Sequence, residues 1–502
     1  MVIRNITKNK VCKLRVCLLV FLNILFCGNL LAQKQPLFLE KMEKAFVNQD
    51  TSGLGVVLSG NFAIAGQSGE VAKFMLNQII KNFPVKTIQI LKEKKHQKGQ
   101  NYQLEIKTKD GDVIVTEALA NTEGKIIHVH HFDFLYGLER EDTSRLVAEI
   151  PFENHLGSII LEVYINDYKK PLRLLFDTGA DGMAVSKELA DDINLKVTRE
   201  NNASVVGGNQ TIQVSDNNSI RLDTLTMQNM GIAIFPTMTR DNTDGIIGNS
   251  LLRRFITHID YDKNILSLYT FGPHNYKGEG EAVEVGMPKG VIELPGNLEI
   301  VEGKAYNGKF IFDTGASYDL ICFRPFVREN RLLVSGFKPE LQAATVSMGI
   351  SSPTFLGPSF RFSIPPLKGM KGLPVTLMGG TSSNEGWNPG ADGSIGVRLL
   401  SRYNMTINIA ENEVFFTPNK LHSLPQDFVI NEYQFGWTND GRLVVLSTKG
   451  AEDSSKLIPG DAIKSINGMS NNQIIEEPSV LKEIKEAKEI ELTLSNGKEI
   501  KI

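Results

Sequence analysis

The apolar positions change period along the chain, and each change marks a different kind of unit. Between Pro36 and Asn48, Leu37, Leu39, Met42, Ala45 and Phe46 fall near helical spacing, and Gly69 to Phe83 repeats it with Val71, Phe74, Met75, Ile79 and Ile80. Three alternating runs follow, Tyr102 to Thr108, Val113 to Ala120 and Lys125 to Phe132, each predicting a strand with one buried face. Helices followed by a strand meander predict an α+β domain over 35–140. From Ser158 the helical period disappears. Ser158 to Ile165 alternates, Asn166-Asp167 reads as a turn, and Leu172 to Phe176 is the next strand; Leu298 to Tyr306, Asn307-Gly308 and Phe310 to Phe312 repeat that scheme. Beyond about Phe428 the pattern changes again. Arg442 to Ser447 and Glu489 to Leu494 read as strands, Ser479 to Ala487 as a helix, and Pro459-Gly460 and Asn467-Gly468 as turns. The fold class is therefore multidomain: N-terminal α+β, central all-β, and a C-terminal β-barrel with helices over 425–502.

The central region is a duplication. Arg173 to Ser186, RLLFDTGADGMAVS, returns as Lys309 to Cys322, KFIFDTGASYDLIC, and each copy ends an apolar strand on a carboxylate, Asp177 or Asp313. The tails match as well: Asp244 to Leu268 aligns without a gap on Asp392 to Phe416, sharing Asp-Gly, Ile-Gly and Leu-Leu. Two related units in tandem follow, 150–285 and 286–420.

These residues resemble the pepsin and retropepsin aspartic proteases. The DTGAD of Asp177 to Asp181 is closest to the retropepsin form, while two copies in one chain resemble the pepsin arrangement. The resemblance implies a bilobal acid-protease fold with Asp177 and Asp313 as the catalytic pair. It further implies that Thr178 and Thr314 cross-link the two loops, and that Ile247-Gly248 and Ile395-Gly396 pass beneath them as an apolar floor. Gly179 and Gly315 permit the tight turn and close approach of backbone to the carboxylates. A mobile flap is implied over Asn201 to Val214, with Val206, Gly207 and Gly208 at its tip; the Tyr of the pepsin flap is missing. The run Leu457 to Gly468, LIPGDAIKSING, is similar to the PDZ signature of bacterial proteases. That likeness implies a groove taking the C-terminal peptide of a partner by strand addition, its carboxylate held at Phe435-Gly436-Trp437. The N-terminal domain resembles, in topology alone, the curved-sheet cone of the nuclear transport factor and cystatin-like group.

Two carboxylates a few ångströms apart cannot both ionise, so such a pair shares a proton. One member takes a proton from water while the other donates to the scissile carbonyl oxygen, which needs no metal, no cofactor and no covalent intermediate. The expected activity is an exported aspartic endopeptidase acting on peptide or protein substrates, with the PDZ-like domain recruiting or regulating. The alternative is a catalytically silent peptide receptor using the cleft and the PDZ groove. Ala180 and Ala316 stand where many acid proteases carry a hydroxyl that donates to a carboxylate, so activity is expected to extend toward neutral pH.

Composition adds the setting. The 502 residues carry 54 Lys and Arg against 57 Asp and Glu, a net charge of -3 that gives no support for a nucleic-acid partner. Arg4, Lys8, Lys10, Lys13 and Arg15 precede an apolar run from Val16 to Cys27, and Leu30-Leu31-Ala32-Gln33 follows. This reads as a signal peptide over 1–33 whose apolar run is short for a membrane span, which places the protein in the periplasm or outside a Gram-negative cell. Three of the four cysteines fall in this leader, so the mature chain keeps Cys322 alone and forms no internal disulfide. His128 and His130 would share a face if both lay on one strand, but no third ligand is near them in sequence and no metal site is expected. The basic run Lys92 to Lys98 reads as a solvated hairpin tip.

Overall fold

The computed structural model describes residues 35–206, 208–238, 242–347, 350–380, 387, 389–448 and 457–502. The leader 1–33 and the flap residue Gly207 lie outside the described residues. Among the described residues no helix is long and apolar enough to cross a membrane.

Helix α1 (Leu37–Asn48) buries Phe38, Leu39, Met42, Ala45 and Phe46 along one stripe, and α2 (Gly69–Asn82) buries Ala72, Met75, Leu76, Ile79 and Ile80. An antiparallel sheet follows in the order β1 (Val85–His96), β2 (Gly99–Thr108), β3 (Val113–Asn121), β4 (Ile126–Val129). Strand β1 carries no alternating signal because most of it faces solvent. Its basic end does form a hairpin, His96 pairing with Gly99. The last predicted strand is shorter than expected: β4 stops at Val129, and His130 opens the short helix α3 (His130–Leu135). His128 and His130 therefore do not share a strand face.

The two repeats fold alike. In the first, β5 (Ser158–Ile165) turns at Asn166, whose φ of 50° suits Asn, into β6 (Leu172–Phe176). Strand β7 (Met183–Ser186) leaves the Asp loop, and a long hairpin, β8 (Arg199–Val205) with β9 (Gly208–Leu222), rises beyond it. Strand β10 (Gly245–Ile247) then inserts between β6, to which it is parallel, and β7, to which it is antiparallel. Strand β11 (Ile256–Asp260) follows, paired antiparallel with the strand Ile265–Tyr269. In the second repeat β12 (Glu293–Glu299) and β13 (Ala305–Phe312) form the hairpin that delivers Asp313, and β14 (Leu320–Cys322) leaves it. The matching hairpin is β15 (Leu341–Ser347) with β16 (Ile350–Pro358), and β17 (Pro374–Met378) follows. Strand β18 (Gly393–Ile395) inserts between β13 and β14 as β10 does in the first lobe. A short helix α4 (Val397–Leu400) carries the Leu-Leu pair into β19 (Tyr403–Asn408).

One expectation fails here. Asn307-Gly308 is not a turn: both residues lie inside β13, Asn307 paired with Asn297 and Gly308 with Gly296. The chain reverses earlier, around Gly303 at φ 76°, whose amide donates to the Glu299 carboxylate.

The lobes share one apolar core that includes Phe176, Ile247 and Leu252 of the first and Phe312, Ile395 and Leu400 of the second. They also share a six-stranded sheet in which β11 pairs antiparallel with β19. His258 faces Thr406, its own counterpart 148 residues on, and Thr257–Ile407 and Ile259–Met405 are mirrored about that point. The seam thus lies on the local two-fold axis of the duplication. A separate core of Phe435, Trp437, Leu443, Ile463, Ile466 and Leu492 holds the C-terminal module together. Its main strands run β20 (Phe428–Ile430), β21 (Tyr433–Trp437), β22 (Leu443–Thr448), β23 (Ala462–Ile466), β24 (Glu491–Leu494), β25 (Glu499–Lys501), with α5 (Val480–Glu486) before β24.

Candidate active site

Strands β6 and β13 end on Asp177 and Asp313, and the two loops cross-brace each other. The Thr178 amide donates to Thr314 Oγ1 at 3.1 Å and the Thr314 amide to Thr178 Oγ1 at 3.0 Å. Each hydroxyl passes on to the opposite strand, Thr178 Oγ1 to the Phe312 carbonyl and Thr314 Oγ1 to that of Phe176, both at 2.7 Å. All of this is buried, so the network is strong and fixes the loop spacing. Gly179 and Gly315 donate their amides to Oδ1 of Asp177 and Asp313, each at 3.0 Å.

The carboxyl groups converge. A Cβ built on Gly179 would lie 2.6 Å from Asp313 Cγ, and one on Gly315 would lie 2.2 Å from Asp177 Cγ. Each acid is therefore packed over the glycine of the other loop, in one shared centre. Either Gly→Ala change forces the pair apart, and we expect Gly315→Ala to lower kcat/KM by about 100-fold or more with an unaltered circular dichroism spectrum. An active Gly315→Ala enzyme would mean that the acids do not need this spacing.

The floor beneath the loops is as tight. The Asp177 and Asp313 amides donate to the Ile247 and Ile395 carbonyls, at 3.0 Å each. A Cβ on Gly248 would strike the Ala180 carbonyl oxygen at 2.3 Å, and one on Gly396 that of Ala316 at 2.8 Å. Asn249 ties the first loop to the inter-lobe connection, its side-chain amide donating to the carbonyls of Thr178 and Gly290 at 2.9 Å each.

The hairpin read as a flap is present, with Val205 paired to Gly208 at its end. Val206 packs into an apolar patch of the second lobe made by Ile321, Phe323, Met378, Trp387 and Ala391. There is a second such hairpin in the second lobe. It is formed by β15 and β16, and Ile350 at its end lies so close that a Cβ on Gly208 would meet its Cδ1 at 2.7 Å. The signal was Met348-Gly349, which sits between the second Asp loop and its tail as Val206-Gly207 does in the first. The two hairpins thus meet end to end, and the first lobe packs a small buried apolar cluster of its own from Leu175, Ile212, Val214 and Ile246.

Ser394 is the other residue missed. Its hydroxyl donates to Asp313 Oδ2 at 3.1 Å, from the strand position that Ile246 occupies in the first lobe.

Phe435, Gly436 and Trp437 do not form an open carboxylate loop. They lie within β21, hydrogen-bonded to β20 on one side and β22 on the other, with Phe435 and Trp437 fully buried. An internal carboxylate occupies that place instead, a Cβ on Gly436 lying 2.6 Å from Asp427 Oδ1. Asp427 accepts from Arg398 Nε at 2.7 Å and Nη2 at 3.0 Å, and from Arg402 Nη2 at 3.3 Å. Arg398 also reaches the Trp437 and Leu156 carbonyls. Asp319 lies near this cluster, and burial, with Asp427 adding to it, drives its carboxyl far above the usual range while Arg402 and Arg398 oppose.

Residues 161–251 match the family described as Aspartyl protease. No curated protein matches the chain. Among solved structures it is similar to a retropepsin-like aspartic protease from Rickettsia conorii, with 24% identity over 25% of this chain and 92% of that one and a TM-score of 0.19. It is also similar to an aspartic proteinase from Irpex lacteus, with 14% identity over 54% of this chain and 97% of that one and a TM-score of 0.32. A family match spanning the first Asp-Thr-Gly loop, and a second loop braced against it by reciprocal threonines, make this chain an aspartic-type peptidase.

Proposed function

We propose that the protein is an exported aspartic endopeptidase in which Asp177 and Asp313 activate one water against a peptide carbonyl. The observation that carries this is the convergence of the two carboxyl groups, each over the other loop's glycine. With one proton between them, the carboxylate member takes a proton from water as the water oxygen bonds to the carbonyl carbon. The protonated member gives its proton to the carbonyl oxygen, forming a neutral gem-diol. Collapse returns one diol proton to the second acid and sends the first acid's proton to the amide nitrogen as the C–N bond breaks.

Export rests on the leader 1–33, which points to the periplasm or exterior of a Gram-negative bacterium. The C-terminal module is read as PDZ-like from Leu457 to Gly468, recruiting or regulating, and the N-terminal α+β domain as a cone-like accessory unit. The test is cleavage of a peptide library by the chain without its leader at several pH values, with and without pepstatin. Pepstatin-sensitive cleavage is expected; no cleavage at any pH would leave the receptor reading standing.

A further inference from the structure

The duplication makes the two acids equivalent in sequence, and the structure makes them unequal. Both carry Ala two residues after Thr, the position where many acid proteases carry a hydroxyl. Strand β18 supplies one to a single member. Ser394 is 1% exposed, and its Oγ lies 3.1 Å from Asp313 Oδ2, the oxygen not already used by the Gly315 amide. The counterpart in β10 is Ile246, which has no hydroxyl and instead joins an apolar patch with Leu175 and Ala184. A hydroxyl inside the floor strand, where the repeat has a branched aliphatic residue, loses apolar burial. Its hydroxyl is spent on an acid of the reacting pair.

We propose that Ser394 is a positioning residue that holds Asp313 as the carboxylate of the pair, so that Asp313 takes the proton from water and Asp177 donates to the carbonyl oxygen. The inference rests on the peptidase reading and deepens it. A hydrogen bond donated to a carboxylate favours its charged form.

Other titratable groups on or just ahead of the strands around Asp313 include Glu293, Asp392, Asp319 and Cys322, with Asp177 opposite. Glu293 on β12 is raised by burial, with Lys309 and Lys289 opposing. Asp392, ahead of β18, accepts from the Lys309 amide. Asp319, ahead of β14, is raised by burial and by Asp427, with Arg402 and Arg398 opposing, and burial pushes the Cys322 thiol up.

The test measures kcat/KM against pH, and pepstatin affinity against pH, for wild type, Ser394→Ala, Ser394→Thr and Ser394→Cys. Loss of the donor is expected to move the acid limb of both curves upward by about one pH unit in Ser394→Ala. Ser394→Thr keeps a hydroxyl and is expected to follow wild type. Ser394→Cys, close in shape and a weak donor, shifts in the direction of Ala and carries the test if Ala does not fold. An unmoved limb in Ala and Cys, or a limb that moves to lower pH, overturns the assignment. So does Ser394→Thr behaving like Ala while folded. Wild type with no pepstatin-sensitive hydrolysis sinks the peptidase reading and this inference together, whereas active wild type with unmoved variants sinks this inference alone.

Discussion

Asp177→Asn and Asp313→Asn each lower peptide hydrolysis by at least about 1,000-fold, as expected for removal of a general acid or base. The cause is chemical. An amide keeps the shape of the carboxyl, and its oxygen still accepts the Gly179 or Gly315 amide that holds it at 3.0 Å. The threonine brace does not involve the acids' side chains, so loop spacing survives. What disappears is the ability of the pair to hold and pass one proton. Thermal unfolding and circular dichroism should match wild type, and pepstatin should bind more weakly. If both variants keep wild-type turnover, catalysis does not run through this pair. If wild type turns over no peptide and the variants bind peptides as it does, the cleft is a receptor.

Arg398→Met is the second large effect, and it acts on stability. The Arg398 guanidinium is buried and neutralises an equally buried Asp427. It also satisfies the Trp437 carbonyl at 2.9 Å and that of Leu156 at 3.0 Å. Methionine fills a similar volume but leaves Asp427, among the described residues, with only the longer contact from Arg402 at 3.3 Å. Breaking a buried pair on one side costs about 3–5 kcal/mol. Trp437 lies in the core of the C-terminal module and Trp387 in the second lobe, so urea unfolding followed by tryptophan fluorescence reads this change. We expect the transition to fall to markedly lower urea. Arg398→Met with Asp427→Leu should recover part of the loss, because the orphaned charge goes too. A single variant as stable as wild type would show that this contact does not secure the module.

The convergent acid pair was legible because duplication repeats chemistry: an acid closing an apolar strand is costly, and the chain does it twice with the same flanking residues. What misled was glycine. Asn307-Gly308 looks like a reversal and Phe435-Gly436-Trp437 like a carboxylate loop, yet both glycines lie in extended strands. They are there for room. A Cβ on Gly308 would stand 3.0 Å from the Phe310 ring, and one on Gly436 would collide with Asp427. Local sequence does not distinguish a glycine that bends the chain from one that admits a neighbour distant in sequence. Ser394 was hidden for a related reason: in Ser-Ile-Gly it looks like a weakened copy of Ile-Ile-Gly, and its value depends on an acid 81 residues away. Strand β1 escaped notice because a strand wetted along most of its length has no alternation to detect.

The pairing of β11 with β19 about His258 and Thr406 also bears on how the halves recognise each other. An edge that mates with its own counterpart is self-complementary: what each lobe offers is what it accepts. Lobes produced as separate polypeptides would then find like as well as unlike partners, and it is the covalent connection, by raising local concentration, that makes the mixed pair prevail.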